Sequence, residues 1–503
     1  MAIWPLLTLA LAAALLYAPN LCDYFLGDDF DLIHSFYGKP PGYLLGLLWS
    51  NESGDVWKDW GIDPAKGLGY LRPLKIWLLA LDSAFWGTNP IGFHLTATLF
   101  FVAAVWMAAR VFHEVLPDRP RLAVAGAGVA AMHPVFAEIV PFLTAREETL
   151  SLALGLAALL AFIRARAADR WSPAFACLLA LALLVKESAV TYVALAAGHD
   201  LVYGRMRPWR PRFRRDLALW WPALCVLVAY FALRRFVFGN FLGGDGSELG
   251  FFSWQALRFH AHLFRSLADP TLLSIAALPG GALLAAGLFA APLVAVALFW
   301  KRVPAERRRD LLYTGPVWYL ASIALYTGVP FATRHHLLPV LGLVMLVCVA
   351  LGILLDLGVL RSERRVAVGM LALAAISFLP ASILTSREYR YASAVVAELR
   401  ADIESRTHEL PSGSNVMLLS VPQLDLTPYY FGWGLRSALR PPFTPSDVSN
   451  RLVILNPRNR RLNNIETKLP DRIDFTLDMR RDGAIPDWIK QRYQQRVLRE
   501  YRN

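Results

Sequence analysis

Long apolar runs alternate along the chain with short polar connections, many of them rich in arginine. A helix rises about 1.5 Å per residue, so crossing about 30 Å of hydrocarbon takes about 20 predominantly apolar residues. The runs that predict spans are Ile3–Pro19, Ile91–Ala109, Leu122–Val140, Thr149–Ile163, Leu217–Leu233, Leu278–Trp300, Leu311–Val329, Leu337–Leu355 and Val366–Leu384. Pro173–Tyr203 is interrupted by Lys186-Glu187, and reads as one long span or as a hairpin of two short helices. Basic clusters lie at Arg110/Arg119/Arg121, Arg164/Arg166/Arg170, Arg205–Arg215, Lys301–Arg309 and Arg361–Arg365. With a hairpin all five fall on one side, as the positive-inside tendency requires. The pattern therefore predicts eleven spans, a cytoplasmic N-terminus on a retained first span, and an extracytoplasmic C-terminal region.

The expected fold class is an all-α polytopic membrane protein carrying a small α/β extracytoplasmic domain. The membrane region covers 1–386, with a first outer loop at 20–71, and the C-terminal domain covers 387–503. That domain reads as a helix at Tyr391–Glu409, strands at Val416–Val421 and Arg451–Leu455, and a basic helix at Pro486–Tyr501. In the loop Gly239–Leu278, the amphipathic stretch Trp254–Leu267 suits the membrane surface. Composition sharpens the class: 56% of residues are hydrophobic and 18% charged, against about 25% charged in soluble domains. A soluble enzyme, a disordered chain and a fibrous repeat are excluded. The net charge of +12 would point to nucleic acid in a soluble protein; here the arginines mark topology, and no nucleic-acid partner is expected. Four cysteines offer no CxxC pair or disulfide framework. The arginine- and alanine-heavy composition suggests a bacterial inner (plasma) membrane.

Several ionisable residues stand out against this apolar background. Asp28, Asp29 and Asp31 follow the first span. Adjacent carboxylates repel, so one pKa rises unless a cation sits nearby. Asp28 and Asp29 could hold Mg²⁺ or Mn²⁺, or act on a hydroxyl as general base, or simply cap a helix in a solvated loop. Arg72, before Pro73, is either a phosphate contact or part of an interfacial helix with Trp77 and Trp86. His133 and Glu138 lie within the third run, Arg146 and Glu147 at the following turn, and Lys186-Glu187 at the hairpin tip. Ionisable groups at membrane depth are costly and either functional or mutually paired. Arg334, His335 and His336 precede a late span; Arg binds phosphate bidentately and His can hydrogen-bond it, and interfacial anchoring is the alternative. No P-loop, GxGxxG, HExxH or GxSxG element is present, and no nucleotide or redox cofactor is expected.

The ordered combination Gly-Asp-Asp-Phe at 27–30, Leu-Arg-Pro-Leu at 71–74, Phe-Trp-Gly-Thr-Asn-Pro at 85–90, His-Pro-Val-Phe-Ala-Glu at 133–138, Thr-Ala-Arg-Glu-Glu at 144–148 and Leu-Leu-Val-Lys-Glu-Ser at 183–188 resembles the GT-C glycosyltransferases. Within them it is similar to the transmembrane O-mannosyltransferase branch whose animal members carry tetratricopeptide repeats. The resemblance covers roughly 21–203, and the Arg-His-His-Leu-Leu-Pro segment at 334–339 is similar to a later element of that branch. It implies sugar transfer from a polyprenyl-phosphate donor to a protein, lipid or glycan acceptor on the outer face of the membrane. Asp28 would then be general base or metal contact with Asp29 beside it, and Arg72, Arg146, Lys186, Arg334 and His335 would bind the donor phosphate. His133, Glu138, Glu147 and Glu187 would support them. The tail lacks any tetratricopeptide pattern. A transporter of a lipid-linked or polar solute, or a non-catalytic scaffold, is the competing expectation.

Overall fold

In lipid an apolar segment can satisfy its backbone only within itself, as a helix, and the computed structural model is mostly helical. It describes residues 3–51, 69–168, 172–204, 209–239, 241, 281–323, 333–419, 430–431, 434–454 and 474–478. Helices α1 (Ile3–Tyr17), α2 (Asp28–Phe36), α3 (Pro41–Gly46) and α4 (Pro73–Trp86) are followed by α5 (Pro90–Val115), α6 (Pro120–Met132) and α7 (Arg146–Ala167). Next come α8 (Ala174–Val185), α9 (Thr191–Tyr203), α10 (Trp209–Phe238), α11 (Gly281–Leu298), α12 (Ala305–Leu312), α13 (Trp318–Ile323), α14 (Leu337–Asp356), α15 (Glu363–Glu409) and α16 (Leu435–Ala438). Among the described residues, five helical stretches are long and apolar enough to cross a membrane: Pro90–Val115, Leu143–Ala167, Leu219–Phe238, Arg334–Asp356 and part of Glu363–Glu409. The chain is a polytopic helical membrane protein. Its core forms where α5 packs on α7, α7 on α8, and α6 on α14 and α15.

Breaks in this pattern have local causes. The run Leu122–Val140 is not one helix: α6 stops at Met132, because His133 precedes Pro134 and adopts an extended ψ of 136°. A 3-10 turn, Pro134–Glu138, follows, so His133 and Glu138 do not share a helical face. Across Leu311–Val329, α12 passes through a π-helical turn at Tyr313–Val317 into α13; Pro316 in that turn lacks a donor for a regular ladder. Residues 324–332 lie outside the described residues. Val366–Leu384 and the tail helix Tyr391–Glu409 form a single 47-residue helix, α15, since no Gly or Pro lies between them. The expected domain boundary at 386/387 thus falls inside a continuous helix.

The hairpin reading fits the geometry. Lys186 reaches Glu147 and Glu148 in the first turn of α7, while Asp200 pairs with Arg166 in its last turn. The chain therefore reverses at Lys186–Val190. At the Asp200 end the described basic clusters gather: Arg119 and Arg307 both pair with Asp356, the latter at 3.0 Å, Arg164 pairs with Glu114 at 2.7 Å, and the Arg121 amide donates to Glu363 at 2.8 Å. The side chains of Arg205–Arg215, the stretch Trp254–Leu267 and the helix expected at Pro486–Tyr501 lie outside the described residues.

In the tail, β1 (Val416–Leu419) pairs in parallel with β2 (Leu452–Ile454) and with β3 (Phe475–Asp478), in the order β2-β1-β3. The third strand was not expected from the sequence. Arg451 ties this region to the end of α15, donating to the carbonyls of Thr407 at 3.0 Å and Pro411 at 2.6 Å.

Close helix approach depends on glycine in α7, where a Cβ on Gly155 would lie 1.9 Å from the Tyr192 ring of α9. Gly155→Val is expected to destabilise the chain by about 1–3 kcal/mol, the usual range for overpacking, read as a lower melting temperature in detergent.

Candidate active site

At the end of the bundle opposite the basic clusters, α2 is preceded by its N-cap Gly27, whose φ of 49° lies in the left-handed region that glycine adopts at little cost. Asp28, Asp29 and Asp31 occupy its first turn, where the helix dipole favours carboxylates. The three then diverge. Asp29 is buried: one oxygen accepts from the Thr144 amide at 2.7 Å and hydroxyl at 2.6 Å, the other from the Leu26 amide at 3.0 Å. Asp31 is buried and accepts from the Ser437 hydroxyl at 2.5 Å. Asp28 is half-buried and close enough to Lys75 and Arg334 to feel their charges.

Arg72 precedes Pro73, is held out of α4, and stacks on Tyr70 with 4.2 Å to the ring centre. Its guanidinium forks onto Glu187, with Nε at 2.9 Å and Nη2 at 2.5 Å, and its Nη1 reaches Glu147 at 2.7 Å. Lys75, in the first turn of α4, pairs with the second Glu147 oxygen at 2.7 Å. Lys186 leaves α8 in an extended conformation and binds Glu148, with Glu147 at 3.2 Å. Arg334 approaches Glu148 at 3.7 Å. Asp28, Arg72, Glu147, Lys186, Glu187 and Arg334 are thus brought together, joined by Lys75 and Glu148. Arg334 is the most open of the four cations, with 39% of its side chain exposed against 10% for Arg72. It is the cation best placed to meet an anion from outside.

The electrostatics follow the packing. Burial raises the Asp28 pKa above the ordinary carboxylate value; Lys75 and Arg334 oppose the rise and Glu147 adds to it. Burial takes Asp29 up to about 7 against the pull of its hydrogen bonds. Burial would also raise Glu187, but the Arg72 guanidinium outweighs it and holds that carboxyl down to about 2.

Other expected residues are engaged elsewhere. Arg146 turns to Asp82, with both side chains buried, and Asp82 also accepts from Thr96 at 2.8 Å. His133 accepts from the Val135 amide at 3.2 Å and packs edge-on against Phe378. Glu138 is half-buried, and its carbonyl accepts from Tyr389 at 3.1 Å. The Pro134–Glu138 turn packs against Thr333–His336, where His335 and His336 are buried. The sequence reading passed over Lys75, which its place as the one cation in the apolar stretch Pro73–Ala80 could have exposed, and over Glu148 as a site residue. Both Asp29 oxygens already accept protein donors, so a divalent cation at Asp28 would have to share Asp29 with Thr144 and Leu26. Among the described residues no group of three or more His, Cys, Asp or Glu side chains is arranged to hold one.

No family model matches the chain. Over 136 residues it is 33% identical to Protein O-mannosyl-transferase Tmtc1 of Drosophila melanogaster, covering 27% of this chain and 16% of that protein. Over 184 residues it is 26% identical to Protein O-mannosyl-transferase TMTC3 of Mus musculus, covering 35% of this chain and 19% of that protein. The chain therefore spans only a small part of the curated relatives it matches, which are O-mannosyl-transferases like the branch that the motifs within 21–203 resemble. Among solved structures it is similar to ArnT from Cupriavidus metallidurans bound to undecaprenyl phosphate, with 16% identity and a TM-score of 0.49 over 95% of this chain and 90% of that one. It is also similar to the archaeal oligosaccharyltransferase AglB from Archaeoglobus fulgidus in complex with an inhibitory peptide and a dolichol-phosphate, with 13% identity and a TM-score of 0.43 over 90% of this chain and 64% of that one.

Proposed function

We propose that the protein is a GT-C-type membrane glycosyltransferase, moving a sugar from a polyprenyl-phosphate donor to an acceptor hydroxyl on a protein, lipid or glycan. The observation that carries this reading is the cluster of Arg72, Lys75, Lys186 and Arg334 around Glu147, Glu148 and Glu187 at the bundle end opposite the arginine-rich loops, with Asp28 close enough to feel its charges. The O-mannosyl-transferase relatives support the choice of sugar transfer. In this reading that end faces out of a bacterial inner membrane, the N-terminus is cytoplasmic, and residues 387–503 are extracytoplasmic.

Asp28 takes the proton of the acceptor hydroxyl as its oxygen bonds to the anomeric carbon. The bond from that carbon to the phosphate oxygen breaks, the lipid phosphate leaves with the electron pair, and the configuration inverts. Arg334 meets the leaving phosphate, with Lys186 behind it on Glu148; fixed cations in a water-poor site stabilise charge more strongly than water does. The prenyl tail lies against the apolar helices.

Purified protein in proteoliposomes with radiolabelled polyprenyl-phosphate mannose tests the reading. Release or transfer of the sugar is expected, whereas labelled solute crossing sealed vesicles without bond cleavage would replace the enzyme with a transporter. The pH profile adds a signed check. A base must be ionised, so kcat/KM should rise with pH along a limb above about 4, the ordinary Asp value. Arg334→Gln removes a cation that lowers the Asp28 pKa, so the limb should shift to higher pH.

A further inference from the structure

One face of α2 is occupied by the tail. Gly27, Phe30, Asp31 and His34 recur at the spacing of a single helical side, and each touches the tail between Tyr430 and Phe443. The Gly27 amide donates to the Tyr430 carbonyl at 2.8 Å. Phe30 stacks on Phe431, with centroids 6.3 Å apart, and meets the edge of Phe443 at 4.9 Å. Ser437 donates to Asp31 at 2.5 Å, and His34 Nδ1 lies 2.7 Å from the Pro441 carbonyl. At Gly434 the backbones come so close that a Cβ would sit 2.0 Å from the Gly27 oxygen. Asp29 is held from another direction, by Leu26 and Thr144. A nine-residue helix is too short to be stable alone, since isolated helices below about 12–15 residues are marginal.

We propose that this tail segment is a positioning clamp for Asp28, with Asp31, Ser437 and Gly434 as positioning residues. It rests on the reading of Asp28 as the base. By gripping one face of α2 the clamp fixes the helix's rotation about its axis, and with it the approach of the Asp28 carboxylate to the acceptor hydroxyl. A rotation of about 10° moves a carboxylate about 6 Å from the axis by about 1 Å, and such a misplacement can cost about a hundredfold in rate.

The test uses the full-length chain in proteoliposomes. Ser437→Ala should lower kcat about tenfold with donor KM nearly unchanged, the scale of one lost buried hydrogen bond. Ser437→Thr, which keeps a hydroxyl, should restore most of it. Gly434→Ala should reduce kcat at least as much. Asp402→Ala, which removes an exposed pair with Arg406 on α15 and involves neither α2 nor residues 430–443, should leave kcat unchanged. Amide hydrogen exchange of residues 27–36 should quicken about tenfold in Ser437→Ala with no substrate present. Wild-type kcat in Ser437→Ala and Gly434→Ala, or an equal loss in Asp402→Ala, overturns the clamp, as does unchanged exchange. Faster exchange in a chain that never turns over donor would instead overturn the glycosyltransferase reading.

Discussion

Asp28→Asn should reduce sugar transfer by about a thousandfold while the protein still folds. A positioned general base contributes about 10²–10⁴ in rate, and an amide of the same shape cannot take the proton. Folding should survive because Asp28 is only half-buried, and the cations around it retain Glu147, Glu148 and Glu187 as partners. The neighbouring aspartate gives the contrast. In Asp29→Asn the amide oxygen can still accept from Thr144, but the amide nitrogen would face the Leu26 N–H, donor against donor. That variant should therefore lose stability before it loses chemistry. The measurement is transfer of labelled sugar beside a thermal melt for each variant. A tenth or more of wild-type transfer in Asp28→Asn would remove it as the base, and equal melting losses in both would make the two aspartates structural alike.

Hydropathy carried much of the architecture, because a span is written in its own residues. The N-terminal start of α5 was equally local: Pro90 stands at its first position and the Asn89 side chain accepts from the Ile91 amide at 3.1 Å. The hairpin was legible only by setting the loops against one another through their arginines. The end of α6 was misread because Leu122–Val140 is apolar apart from His133 and Glu138, and the decisive signal was the single Pro134 rather than the hydropathy. The site was legible as a set of suspects and not as a wiring diagram. Charge at membrane depth identifies Arg72, Glu147, Lys186 and Glu187 as costly residues, but which cation meets which carboxylate depends on how α4, α7 and α8 rotate against one another. Arg146 and Arg72 look alike in sequence; one is buried on Asp82 while the other lies in the Glu147 cluster. The contact between Asp31 and Ser437 joins residues 406 positions apart, and no local pattern announces it.

That difference between the two arginines makes the largest expected loss of stability. Arg146 and Asp82 are buried with side chains only 2% and 8% exposed, and Arg146 Nη2 has no hydrogen-bond partner among the described residues. Breaking a buried pair from one side strands the other charge, at a cost of about 3–5 kcal/mol. Arg146→Met should therefore melt well below wild type, and Asp82→Leu likewise. The double variant Arg146→Met/Asp82→Leu should recover most of the loss, because it removes both charges and the unpartnered Nη2 donor and fills the site with apolar volume. Folded double variant, assayed with polyprenyl-phosphate mannose, should keep a donor KM close to wild type. A donor-phosphate contact predicts the reverse: a single variant that melts normally but binds donor weakly, with no rescue by the second substitution. Melting curves and donor titrations on the four proteins of this cycle separate an arginine that holds helices together from one that holds the substrate.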